Sequence, residues 1–349
     1  MKDLQPATAL WEMYRPQEAK YRFRARTLTE ARRWQRTARR RLSRLVGFQD
    51  DPPVALRPRM LERVDKGDYI RQKVLLQTAR HTVMGVYILI PKHRPHPLPT
   101  VLAFHGHGYG VKAIVGLAED GAERDTPEGY QADFAVALCR RGFLVAAPEI
   151  SCFGERQTDF SYLGKLNSPV PQTCWHTSWL AMHMGGTAIG MRVRDAKRLV
   201  DYLRTRPDAD ARRLGAMGIS GGGLHTFFST CLDTRIRACV VSGYFCTFRD
   251  SILAMHHCHC NYVPNLGQFG EIYDLAGLIA PRPMLVESGH DDEIFPRFGV
   301  RKAVARARSV YGVFGRGRYP LTDYFKGYHQ ISGRKAYDFL AEILGAQEA

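Results

Sequence analysis

Ser220 stands in the stretch Gly218-Ile219-Ser220-Gly221-Gly222-Gly223, where four of six residues are glycine. A serine hydroxyl is a weak nucleophile at neutral pH; it needs a base to take its proton and donors to hold the oxyanion that forms. A sharp turn from a strand into a helix answers part of this need. It lifts the hydroxyl above the sheet and points the free N–H groups of the helix N-terminus at the reacting carbon. The turn is crowded, so the residues two before and two after the serine, Gly218 and Gly222, have to be small. The apolar residues 214–217 ahead of it and the run 224–228 behind it read as that strand and that helix.

In this setting an acid and then a histidine follow the nucleophile along the chain. Residues 284–296, MLVESGHDDEIFP, read as an apolar strand and a loop that carries Asp291 and Asp292. One histidine remains beyond them, His329, just ahead of the last helical run. It is the expected base. The loop FHGHG at 104–108, after the third predicted strand, offers the second oxyanion donor: the amide of His107, working with that of Gly221. The side chains of His105 and His107 read as structural, and His225 as a packed helix residue.

Other residues carry groups capable of chemistry. His256, His257, Cys258, His259 and Cys260 alternate at too short a range for the spaced pairs of a structural zinc site, and read as pocket lining between the sixth and seventh strands. Glu155 and Arg156 follow the fourth predicted strand, at the sheet edge where ligands bind. They form structural ion pairs or touch substrate, with neither favoured. Trp175, His176 and Trp179 form an aromatic wall over the site or belong to the core, with core preferred.

The positions of these residues require a scaffold. Apolar runs alternate with helical patterns through most of the 349 residues, which predicts a doubly wound, mostly parallel sheet with helices on both faces. Residues 1 to about 48 read as helical and Pro52, Pro53 and Pro58 as a connector. The expected division is therefore a helical extension and connector over 1–58 and a catalytic domain over 59–349. Lys and Arg total 50 against 34 Asp and Glu, a net charge of +16. The densest basic run, 32–44, spaces Arg32, Arg33, Arg36, Arg40 and Arg44 along the wet side of a helix whose Trp34, Leu42 and Leu45 turn inward. A solvated face is preferred there over a nucleic-acid patch. Eight cysteines without a secretory leader read as reduced thiols, and no stretch is apolar enough to span a membrane. A cytoplasmic protein is expected.

The motifs HGHG, GISGGG, IAPRPMLVESGHDDEIFP and YHQISGRKAYDFL resemble the α/β-hydrolase superfamily, and within it the dienelactone-hydrolase and acetyl-xylan-esterase branch. The likeness covers about residues 60–349, and the arginine-rich helix is similar to an extension seen in some of these esterases. The family places its acid in Gly-x-x-Asp-x-x-x-Pro, which falls on Asp292 between Gly289 and Pro296. Dienelactone hydrolases use a cysteine nucleophile, and Ser220 departs from that pattern. The resemblance implies a serine carboxylesterase with a Ser220–His329–Asp292 triad and no cofactor or metal. The expected partner is a small-molecule ester, with no nucleic acid or membrane, and self-association stays open. The segments 167–183 and 256–273 mix aromatic with polar residues, which fits a short acyl group on a polar or carbohydrate-like alcohol. A peptidase, amidase or lactonase with the same triad is the enzyme alternative, and a hydrolase-fold binding protein the other.

Overall fold

The computed structural model describes residues 4–164, 166 and 169–346. Nine strands form one sheet: β1 (Arg59–Asp65), β2 (Tyr69–Ala79), β3 (Thr82–Pro91), β4 (Leu98–Phe104), β5 (Leu144–Pro148), β6 (Ala209–Ile219), β7 (Ala238–Ser242), β8 (Met284–Gly289) and β9 (Leu321–Phe325). Their order is β1-β2-β3-β5-β4-β6-β7-β8-β9. The first three strands and the β3–β5 pair are antiparallel, and every pair from β5 to β9 is parallel. The expected doubly wound, mostly parallel sheet is present.

The helices are α1 (Pro6–Met13), α2 (Leu28–Val46), α3 (Phe134–Arg140), α4 (Ser161–Gly164), α5 (Thr173–His183), α6 (Ala188–Leu203), α7 (Gly221–Leu232), α8 (Ile272–Leu275), α9 (Arg297–Gly312) and α10 (Ala336–Leu344). The period of two along β4 shows why both sheet faces need cover. Val101 and Ala103 join the cluster that holds Phe134 and Leu138 of α3, while Leu102 and Phe104 join the cluster of Leu199 and Leu203 of α6. Strands buried on both faces read as continuous apolar runs, and β4, β5 and β7 do so.

Two expectations need correction here. Residues 1–48 are not one helical stretch: α1 ends at Met13 and α2 starts at Leu28. Pro16 lies just past the end of α1, and it lacks an N–H and disfavours a helical residue before it. A capping box, Thr27 with Glu30, then starts α2. The strand β1 has no counterpart among the predicted strands, so the predicted third and fourth strands are β4 and β5. β1 is an exposed edge strand whose RMLERVD lacks apolar alternation, and such charge is what keeps an open edge from pairing. Along α2 the five named arginines face solvent, Leu42 is fully buried, and Trp34 and Leu45 are partly buried. Gln35 and Arg39 reach in from the same helix to backbone carbonyls of Gly277, Ala280, Cys231 and Leu278.

Candidate active site

Ser220 joins β6 to α7 with φ 57° and ψ −120°, a conformation that L-residues avoid. Neighbouring backbone holds it there. The Ser220 amide donates to Ser242 O at 3.0 Å, and Leu224 N donates back to Ser220 O at 2.9 Å. A Cβ on Gly222 would lie 1.9 Å from Phe104 O, and one on Gly218 would lie 2.5 Å from Gly222 O. The glycines around the serine are there because β4, the turn and α7 approach to backbone contact.

His329 sits on the loop between β9 and α10 and donates from Nδ1 to Asp292 Oδ2 at 2.8 Å. The other carboxylate oxygen of Asp292 accepts from the amides of Ile294, at 3.1 Å, and Phe295, at 3.0 Å. Asp292 is buried at 4% exposure, whereas Asp291 is exposed. The loops that carry Asp292 and His329 are tied together, with His290 N donating to Phe325 O and Asp291 N to Gly327 O. They cross so closely that a Cβ on Gly289 would meet Tyr328 O at 2.1 Å. The imidazole of His329 stacks between Tyr130 and Phe295, each ring centroid 5.6 Å away. Its Nε2 is buried and has no hydrogen-bond partner.

Ser220, Gly221, His329 and His107 all line one cavity of about 610 Å³. The peptides on either side of the one that carries the His107 N–H are fixed: Tyr130 Oη donates to His107 O at 2.5 Å, and Gly106 N donates to Gln131 Oε1 at 2.6 Å. Gly221 is the first residue of α7, so its N–H is one that no turn of the helix uses. The His107 ring lies against that residue, 2.9 Å from where a Cβ would stand. Burial, and then the charge of Arg192, lower the His107 pKa to about 4 and keep the ring neutral at pH 7. His105 is tied to backbone, accepting from Ile150 N at 3.0 Å and donating to Gly106 O at 2.7 Å. His225 is buried, stacks on Phe104 and bonds Arg192 O at 2.8 Å. Burial holds its pKa well below the ordinary value.

The remaining named residues divide between this cavity and other parts of the fold. Glu155 pairs with Lys73, and Arg156 bonds the buried Asp195 at 2.8 Å and Glu149 O at 3.1 Å. Neither residue lines the Ser220 cavity. Trp175 and Trp179 are not core: they are 41% and 53% exposed, because α5 carries no apolar stripe and lies on the surface. They meet edge to face at 6.4 Å. Trp175 lines a second cavity that shares Gln172, His256 and Cys258 with the first. His256, His257 and Cys258 line the Ser220 cavity, as their reading as pocket lining expected. Tyr130, Gln131 and Phe295 position the site and were not foreseen. Phe295 had a readable signal, since it lies within the acid's own loop.

A doubly wound sheet with a serine on a strand-to-helix turn, and a His–Asp pair on later loops, defines the α/β-hydrolase superfamily. The chain belongs to the Abhydrolase family, whose sequence model matches residues 7–305, and it is a hydrolase. It is 29% identical over 281 residues to a Bacillus subtilis (strain 168) protein named "Putative hydrolase YtaP", a match covering 78% of this chain and 86% of that one. Among solved structures it is similar to a "putative acetyl xylan esterase" from Bacteroides fragilis NCTC 9343, with TM-score 0.75 and 18% identity over 93% of this chain and 82% of that one. A glucuronoyl esterase from Solibacter usitatus shares the fold with TM-score 0.64 and 19% identity, covering 91% and 94% of the two chains. Among the described residues, no helix is long and apolar enough to cross a membrane.

Proposed function

We propose that the protein is a serine carboxylesterase that removes short acyl groups from polar, carbohydrate-like alcohols. The observation that carries this reading is the Asp292–His329 hydrogen bond, which leaves an unpartnered Nε2 in the cavity that holds Ser220. Asp292 accepts the Nδ1 proton and so leaves Nε2 as the basic nitrogen. His329 Nε2 takes the Ser220 proton as Oγ attacks the ester carbonyl, and the amides of His107 and Gly221 receive the oxyanion. His329 then returns the proton to the departing alcohol. Water, deprotonated by the same nitrogen, releases the acid from the acyl-enzyme. Ser220 Oγ and His329 Nε2 are not hydrogen-bonded in the free enzyme, and catalytic contacts of this kind tighten when substrate binds.

The cavity lining supports the substrate class. Gln157, Gln172, Thr173 and Asn261 supply hydrogen-bonding groups beside Phe153 and Phe295, which suits a ring that carries hydroxyls. The similar protein named as an acetyl xylan esterase supports an ester of that type. A fluorophosphonate probe followed by peptide mapping tests the mechanism. The label is expected on Ser220, and a label on any cysteine would overturn it.

A further inference from the structure

Three of the residues that line the Ser220 cavity are cysteines, Cys152, Cys174 and Cys258, and Cys260 is buried beside them. Cys152 follows β5, Cys174 lies in the first turn of α5, and Cys258 and Cys260 lie between β7 and β8, yet the four form one cluster. Cys258 Sγ is 3.0 Å from Cys174 Sγ, although all eight cysteines are free thiols. The donor atoms of His107, Cys258 and Cys260 all lie within 4.8 Å of one another. His107 Nε2 is buried with no hydrogen-bond partner.

Beneath this cluster lies Arg192, fully buried at 0% exposure. Its Nη2 reaches only Ser151 O, at 3.3 Å, and Cys174 Sγ, at 3.7 Å, while its Nε and Nη1 have no partner. The Phe153 ring faces its guanidinium, 5.7 Å from Cζ, but carries no net charge, and among the described residues no carboxylate forms an ion pair with it. A buried, uncompensated charge costs several kcal/mol, so a counter-charge is required. The atoms gathered there are sulfurs. Neutral thiols do not supply the charge, and a disulfide would not either. Thiolates do, but thiolates this close repel one another unless a cation sits among them.

We propose that Cys174, Cys258 and Cys260, with the imidazole of His107, form a binding site for a thiophilic divalent cation of the zinc class. Binding displaces three thiol protons to solvent. It leaves three thiolates and a neutral imidazole around a dication, a net charge of −1 that Arg192 balances. Metal–sulfur bonds of about 2.3 Å in a tetrahedron hold sulfurs about 3.8 Å apart, so Cys174 and Cys258, now at 3.0 Å, move apart by about an ångström to admit the ion. The short Cys-x-Cys spacing supplies half of the ligands, and the fold brings the other half from the His107 loop and α5. The ion would brace α5, the 258–260 segment and the His107 loop around the cavity. No step of acyl transfer passes through it, and the site does not depend on the serine mechanism.

Cobalt(II) is the probe. The reduced, chelator-treated full chain should take up one equivalent of Co²⁺ with a sulfur-to-cobalt charge-transfer band in the near ultraviolet. Zinc should displace it, and bound zinc should protect three thiols of the unaltered chain from alkylation and raise Tm. Cys258→Ser and Cys174→Ser should each weaken Co²⁺ binding by more than the ~10–100-fold that loss of an outer partner costs. Cys139→Ser, in α3, should leave it unchanged. No uptake by the reduced chain, a Co²⁺ spectrum without the sulfur band, or a Cys174–Cys258 disulfide with no metal bound would each overturn the proposal.

Discussion

His329 Nδ1 lies 2.8 Å from Asp292 Oδ2, while Asp291, one residue earlier, is turned out to solvent. The two acids are indistinguishable by type, but only one has amide donors on its second oxygen. Asparagine at 292 would set an NH₂ against either the Nδ1–H or the amides of Ile294 and Phe295, and all of these are donors. Asp292→Asn should therefore lower kcat by roughly 10⁴-fold, through the wrong His329 tautomer. Asp291→Asn should leave kcat near the wild-type value. Steady-state kinetics of both variants check this, and comparable losses would refute the assignment.

Backbone strain at Ser220 gives a second prediction. A non-glycine residue held in so sparse a region costs about 1–3 kcal/mol, and glycine recovers this at about 0.4–1 kcal/mol of extra unfolded-chain entropy. Ser220→Gly should stabilise the protein by about 1 kcal/mol, or about 1–2 °C in a chain of this size. Ser220→Ala keeps the Cβ and should leave Tm unchanged. Both variants should be inactive and unlabelled by a fluorophosphonate. Calorimetry distinguishes them, and equal Tm values would show that the turn is unstrained.

The third prediction concerns pH and stability. Glu287, on β8, is buried beneath the site, where it bonds Ser242 Oγ and accepts from Gly333 N at 2.9 Å. Burial raises its pKa from 4.5 to about 7. The folded state then binds the proton more tightly than the unfolded one. This contribution is complete below about pH 4.5 and is lost as pH rises through 7, a change of about 3 kcal/mol. Asp274, raised by burial to about 6, adds a slope of the same sign. Glu287→Gln removes the first slope and keeps the second. Its Tm should match wild type near pH 5 and exceed it at pH 8; a difference constant with pH would refute the reading.

The difference between what was legible and what was not follows from range along the chain. Ser220, its glycines, the loop holding Asp292 and the last histidine could all be read because each needs only its neighbours, and an acid and base in chain order. The central strands were legible because burial on both faces leaves unbroken apolar runs. β1 was not, since an edge strand is free to be charged on every exposed side. Tyr130 and Gln131 fix the peptides on either side of the His107 N–H from a separate segment, and nothing local marks a tyrosine whose partner is a distant carbonyl. The sulfur cluster was half visible. Cys258 and Cys260 lie within one short run, but only the fold places Cys174 and His107 beside them.

The acyl and alcohol sides of the substrate can be tested separately. The Ser220 cavity has amides, a threonine and histidines in its wall, so it offers no continuous greasy surface for a long acyl tail. Each methylene buried in an apolar slot would contribute about 0.8 kcal/mol, and a tail left in water or against polar groups gains none of it. Across p-nitrophenyl esters, kcat/KM should therefore be highest at acetate and fall toward octanoate. The adjoining cavity is the rival place for a tail, because Leu163, Val170 and Trp175 line it. Its exposed tryptophan beside His256 and His259 fits a sugar face better than a flexible chain. Trp175→Ala should then raise KM for an acetylated oligosaccharide while leaving p-nitrophenyl acetate kinetics unchanged. An optimum at octanoate that Trp175→Ala abolishes would place a fatty acyl chain in that cavity and sink the carbohydrate reading.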